Sequence, residues 1–119
     1  MQIAIINIKN LRLRTYIGFN PEEMEKQQDV VINAEIHYPA DTAAYTDNES
    51  DAVNYKVITK QMIQLVEQGQ FKLLEKLVSE LLEVAMVHPE VRYARVSVDK
   101  PHALRFADSV SITMEERRV

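Results

Sequence analysis

The strongest strand pattern in the sequence is Val30-Val31-Ile32-Asn33-Ala34-Glu35-Ile36-His37-Tyr38. Its even-numbered residues are apolar or aromatic, whereas the odd-numbered residues after Val31 are polar. Alternation with a period of two is typical of a strand with one buried face and one wet face. Pro39 ends the pattern, because proline cannot donate a hydrogen bond to a neighbouring strand. The chain on either side should supply the partners of this half-buried strand.

A longer strand pattern precedes it, from Ile3 to Ile17. Ile6 and Ile8 are even-numbered, whereas Leu11 and Leu13 are odd-numbered and alternate with arginines, so the apolar side changes partway along. A β-bulge inserts one extra residue and would keep both halves on a common face. We therefore expect a bulge near Lys9 and Asn10, and we expect the strand to end at Gly18-Phe19-Asn20-Pro21.

Helical patterns follow a polar stretch. Residues 40–54 are rich in acidic and small polar side chains, which predicts a solvated loop with room for one helical turn. Gly69 should stop the first helix, and the second should end near His88-Pro89. The apolar face of the first helix contains Tyr55, Ile58, Met62, Leu65 and Val66, and that of the second contains Leu74, Leu77, Val78, Leu81, Leu82 and Ala85.

Two more strand patterns, over residues 91–100 and 108–115, complete the chain. The order β-β-α-α-β-β predicts an α+β domain, in which two helices cover one face of a four-stranded antiparallel sheet. The other face should be polar. Such a face suits either bulk solvent or the wet interior of an oligomer.

Composition narrows the class of protein. The 119 residues predict a single domain, residues 1–119. Cysteine is absent, and His37, His88 and His102 lie in unrelated contexts, so the sequence predicts no metal site. We expect a cytoplasmic protein without a signal peptide or a membrane span. A net charge of −4 with no basic run argues against nucleic acid as a partner.

Four residues with reactive side chains stand near the boundaries of predicted elements. Glu75 lies in the first turn of the second helix, where the helix dipole favours an anion, and Tyr55 begins the first helix. Lys100 closes a strand on the parity of its buried residues, and Glu23 lies in a charged loop. Each also has an interpretation without a functional role. Glu75 would be an ordinary first-turn glutamate and Tyr55 a core aromatic. Lys100 would be a surface lysine with a buried stem, and Glu23 a solvated glutamate.

The order and spacing of these segments resemble the dihydroneopterin aldolase family over the whole chain. The shared pattern consists of Gly18 five residues before Glu23, Gln28 five residues after it, Asn54-Tyr55, Leu73-Leu74-Glu75-Lys76-Leu77 and Lys100-Pro101. The resemblance implies the tunnelling fold (T-fold). In that fold four subunits form a barrel, two barrels stack, and each active site lies between neighbouring chains.

The resemblance also implies a reaction that needs neither a metal nor a cofactor. A retro-aldol step cleaves the C1′–C2′ bond of a pterin side chain, and the C=N unit of the ring accepts the electrons. The implied catalytic residues are Glu23, Tyr55 and Lys100, and the implied substrate-binding residues are Glu75, Leu74 and Val53.

Within the family the likeness is closer to the dihydroneopterin triphosphate 2′-epimerases than to the aldolases. It rests on Ile17, where aldolases commonly have histidine, on the run Asn10 to Thr15, and on the segment 102–108. This likeness implies inversion of 7,8-dihydroneopterin triphosphate to 7,8-dihydromonapterin triphosphate. It also makes Arg105 a candidate for binding the triphosphate. Arg12 and Arg14 are further candidates for the same role. Two alternatives stay open: an aldolase that forms 6-hydroxymethyl-7,8-dihydropterin and glycolaldehyde, and a non-catalytic pterin-binding oligomer.

Overall fold

The computed structural model describes all 119 residues, Met1–Val119. Five strands and four helices follow one another along the chain, with a 3-10 turn at Glu49–Asp51 between α2 and α3. Their bounds are β1 Ile3–Ile17, α1 Pro21–Glu25, β2 Gln28–Pro39, α2 Asp41–Thr46, α3 Tyr55–Gln68, β3 Gln70–Phe71, α4 Leu74–Met86, β4 Tyr93–Lys100 and β5 Val110–Arg117.

The strands form one sheet in the order β3-β1-β2-β4-β5. The four long strands are antiparallel, as the sequence predicts. The prediction of four strands is wrong by one, because β3 pairs in parallel with the end of β1 at Tyr16 and Ile17. A strand of two residues is too short to produce a periodic pattern. β5 ends the sheet on one side, and most of β1 has no strand beyond it on the other.

The expected bulge is present in β1. Ile8 pairs with Ala34 and Leu11 pairs with Ile32, so two residues of β1 stand opposite Asn33 alone. The backbone N–H of Asn10 donates to Oδ1 of Asn33 at 2.9 Å, and Asn10 has a φ of 54°. Asparagine tolerates this left-handed conformation better than most residues. The bulge explains the change of parity along β1.

Both long helices pack on one face of the sheet, as predicted. The core contains 20 buried hydrophobic residues. They include Val30, Ile32, Ala34 and Ile36 from β2, Ile58, Met62 and Val66 from α3, and Leu77, Val78, Leu81, Leu82 and Ala85 from α4. None of the helices is long and apolar enough to cross a membrane.

Two short helices correct the sequence prediction. The expected loop at residues 40–54 contains α2 and the 3-10 turn, which is more helix than the single turn predicted. Glu23 lies in α1 and not in a loop. Asn20 caps α1 by accepting a hydrogen bond from the backbone N–H of Glu23 at 2.9 Å, and Pro21 occupies the first turn. Both residue types favour a helix start.

Candidate functional site

An ion pair joins the end of β4 to α1. Nζ of Lys100 donates to Oε2 of Glu23 at 2.7 Å, and the two side chains are 11% and 23% exposed. Lys100 follows the parity of Val96 and Val98, which face the core. Its interpretation as a surface lysine is therefore wrong. Glu23 and Lys100, predicted from separate segments, are brought into direct contact.

Gln28, at the start of β2, fixes the carboxylate of Glu23. Its Nε2 donates to Oε2 of Glu23 at 3.2 Å and to the carbonyl oxygen of Ile17 at 2.6 Å. The hydrogen bond from Lys100 lowers the pKa of Glu23, and the bond from Gln28 lowers it further, whereas burial opposes both. Glu23 is therefore a carboxylate at neutral pH.

Gly18 makes room for this carboxylate. Its φ is +130°, and a Cβ added there would lie 2.1 Å from Cδ of Glu23. Its backbone N–H donates to the carbonyl oxygen of Phe71 at 2.8 Å, which joins the end of β1 to β3. Only glycine combines this backbone conformation with so close an approach. The close approach of the Glu23 carboxylate to Gly18 thus explains why a glycine stands five residues before Glu23.

A cavity of about 150 Å³ opens beside Glu23. Besides Glu23 and Gly18, its lining includes Tyr16, Met24, Gln70, Phe71 and Lys72. Sequence reasoning missed the polar members of this lining. No periodic pattern identifies them, because β3 has only two residues and Lys72 lies in the bend that follows it.

Glu75 and Leu74 lie at the same end of the sheet. They form the first turn of α4, which begins shortly after β3, and the side chain of Glu75 is exposed. Because Phe71 in β3 is bonded to Gly18, this short connection holds the start of α4 near Glu23. The placement of Glu75 in the first turn of a helix is as predicted.

Val53 and Tyr55 belong to a different place, at the start of α3. Tyr55 is 54% exposed, so its interpretation as a core aromatic is wrong. Val53 is 4% exposed and lines a separate cavity of about 270 Å³. Oδ1 of Asn54 caps the helix by accepting from the backbone N–H groups of Lys56 and Val57 at 3.0 and 3.3 Å.

The length of α3 separates Tyr55 from the Glu23 end of the sheet. The far end of α3 is fixed to β1, because Oγ1 of Thr15 donates to the carbonyl oxygen of Val66 at 2.6 Å. The helix has 14 residues and spans about 20 Å at 1.5 Å per residue. One chain therefore carries the predicted site residues as two groups at opposite ends.

The three arginines predicted for the triphosphate are spread over two places. Arg12 and Arg14 line a cavity of about 540 Å³, where Nη1 of Arg14 bonds to Oδ1 of Asp29 at 2.7 Å. Arg105 lies in the exposed turn between β4 and β5, with its guanidinium 5.6 Å from the ring centroid of Phe106. No group of three or more His, Cys, Asp or Glu side chains is arranged to hold a metal ion.

Sequence comparison finds relatives that match almost the whole chain. The family described as dihydroneopterin aldolase (FolB) matches residues 6–115. The dihydroneopterin triphosphate 2′-epimerase of Escherichia coli K12 is 55% identical over 115 residues, which are 97% of this chain and 96% of that protein. The epimerase of Pseudomonas aeruginosa is 52% identical over 98% of this chain and 94% of its own length. The dihydroneopterin aldolase of E. coli K12 is 27% identical over 93% of this chain and 91% of its own.

Solved structures agree with this assignment. The FolB protein of Vibrio cholerae O1 superposes with a TM-score of 0.92 at 27% identity, covering 99% of this chain and 100% of that one. E. coli dihydroneopterin aldolase in complex with neopterin superposes with a TM-score of 0.89 at 26% identity, covering 95% and 98%. The tunnelling fold expected from the sequence is confirmed. The chain belongs to the dihydroneopterin aldolase family.

Proposed function

We propose that this protein is an epimerase that inverts C2′ of 7,8-dihydroneopterin triphosphate to give 7,8-dihydromonapterin triphosphate. The observation that carries the proposal is the difference in identity between two kinds of relative. Identity to the named E. coli epimerase is 55%, against 27% to the named aldolase of the same organism, over nearly the same length. Aldolase cleavage is the alternative outcome, since both reactions begin with the same bond cleavage.

Glu75 binds the pterin ring in this proposal. A carboxylate accepts two parallel hydrogen bonds, which matches the 2-amino group and N3–H of the ring. The exposed position of Glu75 in the first turn of α4 leaves both oxygens available. Leu74 and Val53 contribute backbone contacts. A structure of a 26% identical relative contains neopterin, which supports a pterin as the ligand class.

Glu23, Lys100 and Tyr55 carry the chemistry. The 2′-hydroxyl loses its proton through a water held by Glu23 and Tyr55, the C1′–C2′ bond breaks, and its electron pair moves into the C=N unit of the ring. The ammonium of Lys100 stabilises the negative charge that develops near N5. Epimerisation then requires the aldehyde to turn, so that C1′ attacks its other face and the new alkoxide regains a proton. The ion pair in the free chain supports this assignment, because it holds the carboxylate and the ammonium at one place.

A second chain completes the site. The length of α3, about 20 Å, separates Tyr55 and Val53 from the Glu23 end of the sheet, so we assign them to the site of a neighbouring subunit. The open edges of β1 and β5 offer unpaired backbone groups for strand pairing between copies. We propose a homo-oligomer, a tetramer or octamer, with active sites between subunits.

Arg105 binds the outer part of the triphosphate. Its guanidinium is exposed and makes no ion pair, so its hydrogen-bond donors are available. Arg105→Ala should raise KM for dihydroneopterin triphosphate much more than KM for dihydroneopterin. An equal effect on both substrates would remove Arg105 from the site.

The experiment that tests the function compares two substrates. The purified protein is incubated with dihydroneopterin triphosphate and, separately, with dihydroneopterin, and the products are identified. Inverted triphosphate confirms the epimerase. Glycolaldehyde and 6-hydroxymethyl-7,8-dihydropterin without any inverted product would make the protein an aldolase, and no product from either substrate would leave a pterin-binding oligomer.

Glu75→Ala tests the ring anchor, with Glu83→Ala as the matched control, because Glu83 is an exposed glutamate of the same helix. Pterin binding, measured by calorimetry, should be abolished in the first variant and unchanged in the second. Near-normal affinity in Glu75→Ala would contradict the proposal for this residue.

A further inference from the structure

The cavity beside Glu23 is placed to receive the part of the substrate that extends beyond the reacting carbon. Glu23 itself lines this cavity, and Tyr16, Gln70 and Lys72 supply its polar surface. In dihydroneopterin triphosphate the first phosphate is separated from C2′ by only one carbon and one oxygen. A substrate whose 2′-hydroxyl lies at Glu23 therefore has its first phosphate within reach of the cavity wall.

The charges of this cavity suit a phosphate. Lys72 forms no ion pair, and the carboxylate of Glu23 is already paired with Lys100. The ammonium of Lys72, the hydroxyl of Tyr16 and the amide of Gln70 can all donate hydrogen bonds. With Glu23 paired to Lys100, the ammonium of Lys72 gives the lining a net positive charge, and three of the lining side chains carry hydrogen-bond donors.

The larger cavity at Arg12 suits a phosphate less well. Its lining includes the carboxylates of Asp29 and Glu67 together with Arg12 and Arg14. Arg14 is committed to Asp29 and also donates to the carbonyl oxygen of Gln27 at 2.9 Å. The two positive and two negative side chains there balance one another.

We propose that Tyr16, Gln70 and Lys72 form the subsite for the first phosphate of the substrate, with Lys72 as its charged contact. The inference rests on the proposed function and adds a role for that phosphate. After cleavage the aldehyde fragment carries the triphosphate, and it must turn without leaving. A phosphate held at Lys72 tethers the fragment while its carbonyl end rotates, which favours re-addition over release.

The test uses full-length Lys72→Gln, with Lys60→Gln as the matched control. Lys60 is an exposed lysine of α3 that does not line this cavity. Lys72→Gln should raise KM for dihydroneopterin triphosphate about tenfold, the usual scale for one hydrogen bond to a charged group, and leave KM for dihydroneopterin unchanged. It should also increase the ratio of cleaved to inverted product from the triphosphate. Lys72→Arg should restore most of both properties.

Each other outcome overturns a definite statement. If the wild-type protein inverts the triphosphate and Lys72→Gln behaves like Lys60→Gln, the phosphate subsite is wrong while the function stands. Equal losses with both substrates would make Lys72 a structural residue and overturn the subsite as well. If the wild-type protein yields no inverted product, the proposed function fails, and the inference fails with it.

Discussion

Lys100 stabilises the negative charge of Glu23 in a largely enclosed place. The hydrogen bond from Lys100 is the main reason that the pKa of Glu23 is below its ordinary value, and Gln28 adds to it. A carboxyl group with a lower pKa in the folded chain stabilises the fold above the pKa of the unfolded chain. That contribution is lost as pH falls through the pKa of folded Glu23.

Lys100→Met should therefore destabilise the protein most at neutral pH. The difference in free energy of unfolding between wild type and variant should shrink as pH falls through the pKa of Glu23, because both proteins then carry a neutral carboxyl group. Urea unfolding at a series of pH values measures this. Lys60→Met provides the control and should show a small, pH-independent difference. A pH-independent difference in Lys100→Met would contradict the assigned coupling.

Gly18→Ala combines two separable costs. A residue with a Cβ at a φ of +130° is strained by about 1 to 2 kcal/mol, and the new Cβ would also overlap the carboxylate of Glu23. Truncation by Glu23→Ala removes the overlapping atoms. The stability cost of Gly18→Ala, measured by thermal unfolding, should thus be smaller in a Glu23→Ala background. Equal costs in the two backgrounds would show that the close approach is unimportant.

The start of α3 depends on a single cap. Asn54→Ala leaves two backbone N–H groups without their side-chain acceptor and should lower the free energy of unfolding by about 1 kcal/mol. Because Tyr55 follows directly, the variant should also reduce activity. Asn54→Ser, which keeps a capping oxygen, should restore stability in urea unfolding. Failure of serine to restore any of the loss would assign the effect to something other than capping.

Element length explains which parts of the fold the sequence reveals. β2 and α4 are long enough for several repeats of their periods, and both were predicted with small errors at their ends. The two residues of β3 and the five of α1 complete no more than about one repeat. For α1 the Asn20-Pro21 pair was an available signal, since it resembles a helix cap followed by a first-turn proline.

The site was predictable only where position within an element determines burial. The parity of Lys100 correctly placed its side chain among core residues. The contact of Gln28 with Glu23 and the cavity at Tyr16 and Lys72 depend on how separate elements meet. Such contacts leave no periodic trace in a single sequence.

The predicted site residues are divided between the two ends of the molecule. Each end of a chain therefore carries one half of a proposed site. Glu75 and Glu23 lie at one end, and Val53 and Tyr55 lie at the other. In a closed symmetric oligomer every chain then contributes to two sites. Variants that damage different halves should therefore complement each other.

Glu75→Ala and Tyr55→Phe chains provide this test when they are mixed, unfolded and refolded together. Random assembly of equal amounts forms about one quarter of the sites from two undamaged halves, so about one quarter of wild-type activity should return. Each variant refolded alone should remain close to inactive. A mixture with no more activity than the average of the two variants would place the whole site within one chain.

The bulge at Asn10 changes which residues of β1 face the helices. They are even-numbered at Ile6 and Ile8 and odd-numbered from Leu11 onward. If β1 paired with β2 without the bulge and kept all of its residues, the rest of the strand would turn to the opposite face. Arg12 and Arg14 would then point at the helices, and Thr15 and Ile17 would point away from them. A few compensating substitutions could not repair so many reversed positions. We therefore expect that deletion of one of the two residues opposite Asn33 is tolerated, because it leaves the flanking residues on their present faces. A single-residue deletion between Leu11 and Ile17 should be rejected, because it reverses the positions beyond it.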